Sequence, residues 1–457
     1  MFKHPDFGRK ALDEIIPGLL EEIADGNDDA LDGLQQVVTV RSSLISTLVP
    51  KLVGAGALSL ASVKSLGRLA SVPEVSLDLY LTSVIPGMLK AFDKVDSVGE
   101  TDELLEHAEA LLVGLSFATE DSDAVVNELL KGLKFTLQYT PSDTVRINTA
   151  QLTMALYVEG VELADECHTD IMEELVKLLD HENQEVRLAV WNAISTIVKT
   201  LGPKGADFAL NRFLPVLRSG IQRLKEKGQR KDPEDGGGAD WFLAGLQVPK
   251  GLDPFVEVYQ RALLKGSEEL RESGAIGLGE LIQVAPLDVL IKKIVVITGP
   301  LIRVFGDKFN WQVKAAILTT FGILIAKAGA KIKQFVPQLQ GIFTKALRSG
   351  SSPVRKRAIF ALEKLLPLFP ANKFDPLVKD LHKGIKEGGA DSDDPVGVVE
   401  ALLKATKSVL SSAGGKVSAE TMGLLTPTVV ANLFHDEGAL LLQLPMHMDC
   451  PSVCCRW

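Results

Sequence analysis

A valine followed by a basic residue opens one helix-period segment after another along this chain. It reads Val145–Arg146, Val186–Arg187, Val313–Lys314 and Val354–Arg355, with weaker versions at Leu270–Arg271 and Val396–Gly397. The steps from 145 to 186, 270 to 313, 313 to 354 and 354 to 396 are nearly equal. The step from 186 to 270 is twice as long, so one repeat there has lost its mark. A second pattern, apolar-Pro-x-apolar, recurs at Ile16–Pro17, Val49–Pro50, Ile85–Pro86, Leu214–Pro215 and Val336–Pro337. A fixed interval of this length means one supersecondary unit used many times, not one large core.

A two-helix unit of roughly 40–47 residues is the period of HEAT and armadillo arrays. The expected fold is therefore all-α: a HEAT/armadillo-like α-solenoid of stacked antiparallel helix pairs, followed by a non-repeat C-terminal tail. One helix pair cannot bury its apolar stripe alone, so neighbours stack and share a continuous core. Leu, Ala and Val dominate and aromatic residues are only 6% of the chain, which suits many thin helix–helix layers. Proline in the first helix removes a backbone donor and kinks it. A helix start prefers acidic charge, so Arg187, Lys314 and Arg355 are expected to reach a carboxylate or free carbonyl in an adjoining repeat.

Residues 1–226 read as HEAT-like repeats, the first of them partial, with 55–135 degenerate and 143–200 clean. Residues 227–251 read as one long loop, in which Trp241 and Phe242 are candidate contacts. Residues 252–436 read as further repeats, cleanest over 311–370. The Gly388–Asp394 break reads as a plain linker, and 437–457 as a divergent, disordered tail. The β-branched run Ile294–Ile297 belongs to a helix interrupted at Gly299–Pro300. That helix ends near Val304 and Phe305. Gly306, Asp307 and Asn310 supply turn chemistry. The next helix starts near Asn310 or Trp311, with Val313, Ala316, Ile317, Thr320 and Phe321 on one face.

The net charge of −10 argues against nucleic acid as the main partner and against sequence-specific reading of it. The cysteines, Cys167 alone and Cys450, Cys454 and Cys455 crowded at the end, fit a reducing compartment. MFKHPDFGRK is no signal peptide, and no uninterrupted apolar run reaches bilayer length, so a cytoplasmic protein is expected. His435 and His447 with Cys450, Cys454 and Cys455 match no closed zinc pattern, because C-x3-C-C lacks paired knuckles. Gly236–Gly238 follows no strand and is no phosphate loop. Gly274, Gly277 and Gly279 fit close helix packing. No nucleophile elbow or Cys/His pair with an orienting third group is present. The expectation is a non-enzyme with no cofactor and no metal, working by binding. Trp191 and Trp311 are expected in the core.

The stretches TGPLIRVFGDKFNWQVKAAILTTFGILIAKAG and KIKQFVPQLQGIFTKALRSGSSPVRKRAIFALEKL resemble the C-terminal HEAT-repeat region of the general control nonderepressible protein one family. ALDGLQQVVTVRSSLISTLVPKLVGAGALSLASVKSLGRLASV resembles the same family in the same order. The resemblance covers about residues 10–436, is strongest at 294–350, and is weak around 95–140 and 227–240. It implies a translational activator that binds the RWD domain of the amino-acid-starvation kinase. That kinase phosphorylates the α subunit of initiation factor two in the integrated stress response. Ribosome contact in the family is attributed to upstream repeats that lie outside this chain. The resemblance marks Arg303 for kinase contact, with Lys308, Trp311 and Lys314 as companions. After His435–Asp436–Glu437 the sequence departs from the family pattern, which is expected to mark an alternative or frame-shifted end. The rival reading is a generic HEAT adaptor for protein cargo or for a phosphatase or transport complex.

Overall fold

The computed structural model describes residues 5–54, 56–73, 75–95, 97–118, 121–138, 142–201, 206–231, 241–306, 308–390 and 392–433. The tail expected over 437–457, with His447 and its three cysteines, lies outside them, as does His435. Among the described residues every regular element is helical. The chain divides into two compact units.

The first unit, residues 1–236 with 243–254, holds eleven α-helices among the described residues. These are α1 (Pro5–Ala24), α2 (Asp28–Val40), α3 (Ile45–Val53), α4 (Leu60–Ala70), α5 (Leu81–Ala91), α6 (Val98–Ala118), α7 (Ser122–Gln138), α8 (Asp143–Val158), α9 (Asp165–Lys177), α10 (Gln184–Leu201) and α11 (Ala206–Lys231). Helices α2, α4, α6, α8 and α10 pack one on the next, and α3, α5, α7, α9 and α11 form the companion layer. The weakly patterned residues 55–135 thus continue the same two layers.

The second unit, residues 237–242 with 255–457, takes α12 (Asp253–Lys265) from Phe255 onward. It continues through α13 (Glu268–Val284), α14 (Leu287–Ile291), α15 (Ile294–Gly306), α16 (Trp311–Ala328), α17 (Val336–Leu347), α18 (Ser352–Leu365), α19 (Phe374–Glu387), α20 (Pro395–Ala413) and α21 (Ala419–Leu433). Here α13, α16, α18 and α20 make one layer, while α15, α17, α19 and α21 back it. Both units are HEAT-like helix-pair arrays, as the period requires.

The valine-basic mark acquires a physical meaning. Val145, Val186, Leu270, Val313 and Val354 are each the third residue of their helix. Three positions earlier stand Ser142, Asn183, Ser267, Asn310 and Ser351. Ser142, Ser267 and Asn310 accept from the backbone N–H of Val145, Leu270 and Val313 at 3.4, 3.4 and 3.2 Å. The valine is therefore both core residue and capped donor. At the sixth mark the register moves by one. Asp394 caps Gly397 at 3.0 Å, Val396 is exposed, and Val398 fills the core. Gly397 takes the valine's place because a Cβ there would collide with the Arg355 guanidinium and the Asp394 carboxylate.

The basic residue mostly serves its own repeat, which corrects the expected ladder. Arg187 Nη1 donates to the carbonyls of His181 and Glu182 at 2.6 and 2.7 Å, in the turn before its own helix. Arg355 Nη1 does the same to Ser349 and Gly350 at 2.7 and 2.8 Å, and its Nη2 pairs with Asp394 of the next repeat. These carbonyls lie at the negative end of the preceding helix or in the turn after it, which explains a cation beside a helix start. Lys314 is half-buried and makes no ion pair or side-chain hydrogen bond among the described residues. Adjoining repeats are instead tied by bonds that carry the period. Asn183 Nδ2 to Asp143 spans 40 residues, Asn310 Nδ2 to Glu268 spans 42, Thr320 Oγ1 to the Ala275 carbonyl 45, Ser408 to Glu363 45, and Ser418 N–H to Asp375 43.

The repeat that lost its mark lost its second helix. Helix α11 runs on to Lys231, past the expected loop start at residue 227, and residues 241–251 are packed chain. A single turn, Ala244–Leu246, stands against α10, with Leu243 and Leu246 fully buried. Trp191 is half-buried and its Nε1 donates to the Gly251 carbonyl at 3.0 Å. Helix α15 also differs from expectation. It passes unbroken through Gly299 and Pro300, and the break lies earlier, between α14 and α15. Pro300 cannot donate to the Val296 carbonyl one turn back; the Gln260 amide of α12 donates to that carbonyl instead. Pro17, Pro50, Pro86 and Pro215 are helix-interior as expected, whereas Pro337 sits at a helix start.

Candidate partner-binding surface

The residues marked by sequence lie on the corner formed by α15, its turn and α16. Along α15 the buried residues Ile294, Ile297, Thr298, Leu301, Val304 and Phe305 face the core. The opposite stripe, Val295, Val296, Gly299, Arg303 and Gly306, is exposed. A helix side floored by glycine and valine leaves the Arg303 guanidinium as its one long group. Arg303 stands in the last turn and makes no ion pair or side-chain hydrogen bond among the described residues. Lys308 is exposed in the following turn.

The turn itself is a structural joint. Arg271 lies over the Phe309 ring at 4.4 Å, and its Nη1 donates to the Leu263 carbonyl at 2.6 Å. Asn310 caps α16 and bridges to Glu268 Oε2 at 2.7 Å. Sequence reading missed Phe309 and the capping role of Asn310; the polar residue three before each valine was the available signal. Asn310→Ala removes both bonds, so it is expected to cost about 1–2 kcal/mol, whereas Asn310→Ser keeps the cap and loses less. Urea midpoints of the two variants check this.

Trp311 is not a core residue: it is 47% exposed. It opens α16 at the rim of a groove of about 380 Å³ lined by Glu272, Ile276 and Glu280 of α13, by Ala315, Thr319 and Ile323 of α16, and by Arg357 of α18. Arg303, Lys308 and Lys314 do not line it. The four marked residues therefore divide: Arg303 and Lys308 belong to the α15 side and its turn, Trp311 to the groove of the other layer, and Lys314, half-buried in the first turn of α16, to neither. The groove carries Glu272 and Glu280 on one wall and Arg357 on the other, so it is not the regularly acidic channel a basic cargo would favour.

Helix α16 is also the one stretch among the described residues long and apolar enough, with its continuation to Leu347, to cross a bilayer by composition. It packs between α13 and α18, with Val313, Ile317, Leu318, Phe321 and Leu324 fully buried, which is the setting of a core helix.

The expectation of close glycine packing in α13 holds. A Cβ on Gly274 would sit 2.8 Å from the Tyr259 carbonyl oxygen, and one on Gly277 would sit 2.6 Å from the Tyr259 ring. In the first unit, Cys167 lies in a buried cluster with Asp123, and Tyr157 bonds His168 at 2.8 Å. Burial first, then the Asp123 carboxylate, push the Cys167 thiol up to about 12, so it is no nucleophile at neutral pH.

A family model described as stalled ribosome sensor GCN1-like, HEAT repeats, matches residues 44–250, and one for HEAT-like repeats matches 311–365. Over 85% of its length the chain is 36% identical to Protein ILITYHIA of Arabidopsis thaliana. Over 95% it is 33% identical to Stalled ribosome sensor GCN1 of Mus musculus, and over 94% it is 29% identical to eIF-2-alpha kinase activator GCN1 of Saccharomyces cerevisiae. The chain spans 14% or 15% of the length of these relatives. Among solved structures, Kap95p with RanGDP aligns at a TM-score of 0.36 and 14% identity, covering 96% of this chain and 55% of that one. Matched over 85% to 95% of its own length by these relatives, the chain belongs to the GCN1-like family as a HEAT-repeat region of it.

Proposed function

We propose that this chain is a non-catalytic scaffold in translational control that docks the RWD domain of an eIF-2-alpha kinase through the α15–α16 corner. The observation that carries the reading is Arg303: an exposed guanidinium, unpaired among the described residues, at the end of a bare helix side in the stretch that most resembles the family. Relatives are named as stalled ribosome sensors and as activators of such a kinase, which supports the same class of work. The mechanism is effective concentration: an array that holds the kinase beside the translating ribosome makes its encounter with the activating signal intramolecular. Ribosome contact then falls to repeats outside this chain, and the setting is the cytoplasm. Lys308 lies beside Arg303 and adds charge. Trp311 and Lys314 are secondary, Trp311 because it belongs to the groove.

A pull-down of the chain with a purified RWD domain tests the reading. Wild type is expected to be retained and Arg303→Ala to lose most of its binding, about tenfold or more for a central charged anchor. Equal retention of both removes Arg303 from the reading. Failure of both to bind sinks the kinase reading for this chain.

A further inference from the structure

Of the tryptophans among the described residues, Trp191 and Trp241 are half-buried and Trp311 is exposed. In the other marked repeats the first helical position is polar or proline: Asp143, Gln184, Glu268, Ser352 and Pro395. The groove that Trp311 opens is built on α16, which packs between α13 and α18. The short residues Ala315 and Thr319 keep its floor low, and Ile276 and Ile323 line it with apolar surface. We infer that this groove takes one arginine side chain of a partner polypeptide, with the guanidinium against the Trp311 ring and bonded by Glu272 and Gln312.

Three independent features ask for the same group. Glu272 is half-buried on the α13 wall and makes no ion pair or side-chain hydrogen bond among the described residues. Gln312 Oε1 is buried in the groove lining and accepts no hydrogen bond among the described residues. The floor hydroxyls, by contrast, are served inside the fold. Thr319 Oγ1 donates to the Ala315 carbonyl at 2.9 Å and Thr320 Oγ1 to the Ala275 carbonyl at 2.7 Å. A buried acceptor without a donor is destabilising, and a donating ligand relieves that. The exposed indole adds a face that attracts a cation. A guanidinium meets all three demands at once, being planar, always charged and furnished with five donors in a fixed fork.

Arg357 on the α18 wall decides what surrounds that arginine. It is exposed and makes no ion pair among the described residues. A run of lysines or arginines would meet it with like charge, and a nucleic-acid strand would bring phosphates against Glu272 and Glu280. A carboxylate beside the entering arginine pairs with Arg357 instead. The site therefore selects an isolated arginine in an acidic neighbourhood. From Trp311 to Ile323, α16 rises about 18 Å, the reach of about five or six extended residues. The arginine and its neighbouring carboxylate thus belong to one short segment. The groove and the α15 corner lie on different layers, so this site does not rest on the kinase reading.

The test uses the full chain with 5-fluorotryptophan at its four tryptophan positions, and Trp311→Phe assigns the Trp311 fluorine resonance. The probe is a Gly/Ser peptide of about nine residues carrying a central arginine with a glutamate on either side. Millimolar titration is expected to shift the Trp311 resonance saturably while those of Trp191 and Trp241 stay in place. Replacing the peptide arginine by glutamine is expected to weaken binding about tenfold or more, and so is Glu272→Gln in the protein. Arg357→Glu is expected to reverse the charge preference. That variant should bind a probe with lysines in place of the glutamates more tightly than the original probe, the opposite order to wild type. The glutamine probe is read on the wild type, so that arm does not depend on a variant folding. The site is overturned by no Trp311 shift, by equal binding of the arginine and glutamine probes, or by tighter binding of a single-stranded RNA at the same resonance. Unchanged binding by Glu272→Gln, or no reversal by an Arg357→Glu protein whose circular dichroism matches wild type, overturns it as well. The assay contains no RWD domain, so it can fail while the Arg303 pull-down succeeds, and the reverse.

Discussion

Gly274→Val is expected to lower the stability of the second unit by about 2–3 kcal/mol, as overpacking of a close helix contact does. The new Cβ would meet the Tyr259 carbonyl oxygen at 2.8 Å, Ala262 Cβ at 3.0 Å and the Leu263 nitrogen at 3.1 Å. Two of these are backbone atoms and cannot rotate aside, so α12 and α13 must separate along a buried seam. The same kind of change at Gly341 should act in the opposite sense. A Cβ there meets nothing within 4 Å, and the residue is exposed in the interior of α17. Gly341→Ala is expected to stabilise by about 0.5–1 kcal/mol, through lower unfolded-chain entropy and higher helix propensity. Urea titrations followed by circular dichroism read both signs. A stable Gly274→Val protein would mean that the α12–α13 seam is looser than described.

Arg355→Ala is the second large effect. The side chain is buried, the residue only 4% exposed, and it holds the Ser349 and Gly350 carbonyls while pairing with Asp394. Truncation leaves those acceptors without their donor and is expected to cost about 2–4 kcal/mol. Arg355→Lys should recover only part of this, because an ammonium cannot span two carbonyls and a carboxylate as the guanidinium fork does. A pH arm separates the ion pair from the carbonyl contacts. The Gly397 backbone N–H, and then Arg355, hold the Asp394 carboxyl below the usual carboxylate range. A lowered carboxyl pKa contributes stability that is present above its unfolded value and lost as pH falls through its folded value. The wild type should therefore lose part of its advantage over Arg355→Ala in acid, and the remainder, due to the carbonyls, should persist.

The period was legible because stacking forces the same core residue into the same helix position every repeat. Val313 and Val354 had to recur whatever surrounded them. The cap residues were legible in principle, since Ser142, Ser267 and Asn310 hold a fixed distance from Val145, Leu270 and Val313, but the short valine-basic mark hid the longer motif that includes them. The missing second helix after α11 was not legible. Leu243 and Leu246 bury as a helix would, and nothing in their spacing distinguishes a packed turn from a loop. Trp311 misled for a related reason: bulk and apolarity favour the core, but the first position of α16 lies outside the stripe that Val313 and Ile317 define. Arg303 could be named from resemblance. That it is exposed and makes no ion pair among the described residues needed the structure.

The bonds that span 39 to 45 residues join one repeat to its immediate neighbour. Within a unit such links act as springs in series. A pull along the array loads every interface between repeats equally, the compliances of the interfaces add, and the force at which the array yields is set by the weakest interface alone. Strengthening a strong rung changes nothing in that limit, whereas loosening one rung moves the rupture point to it.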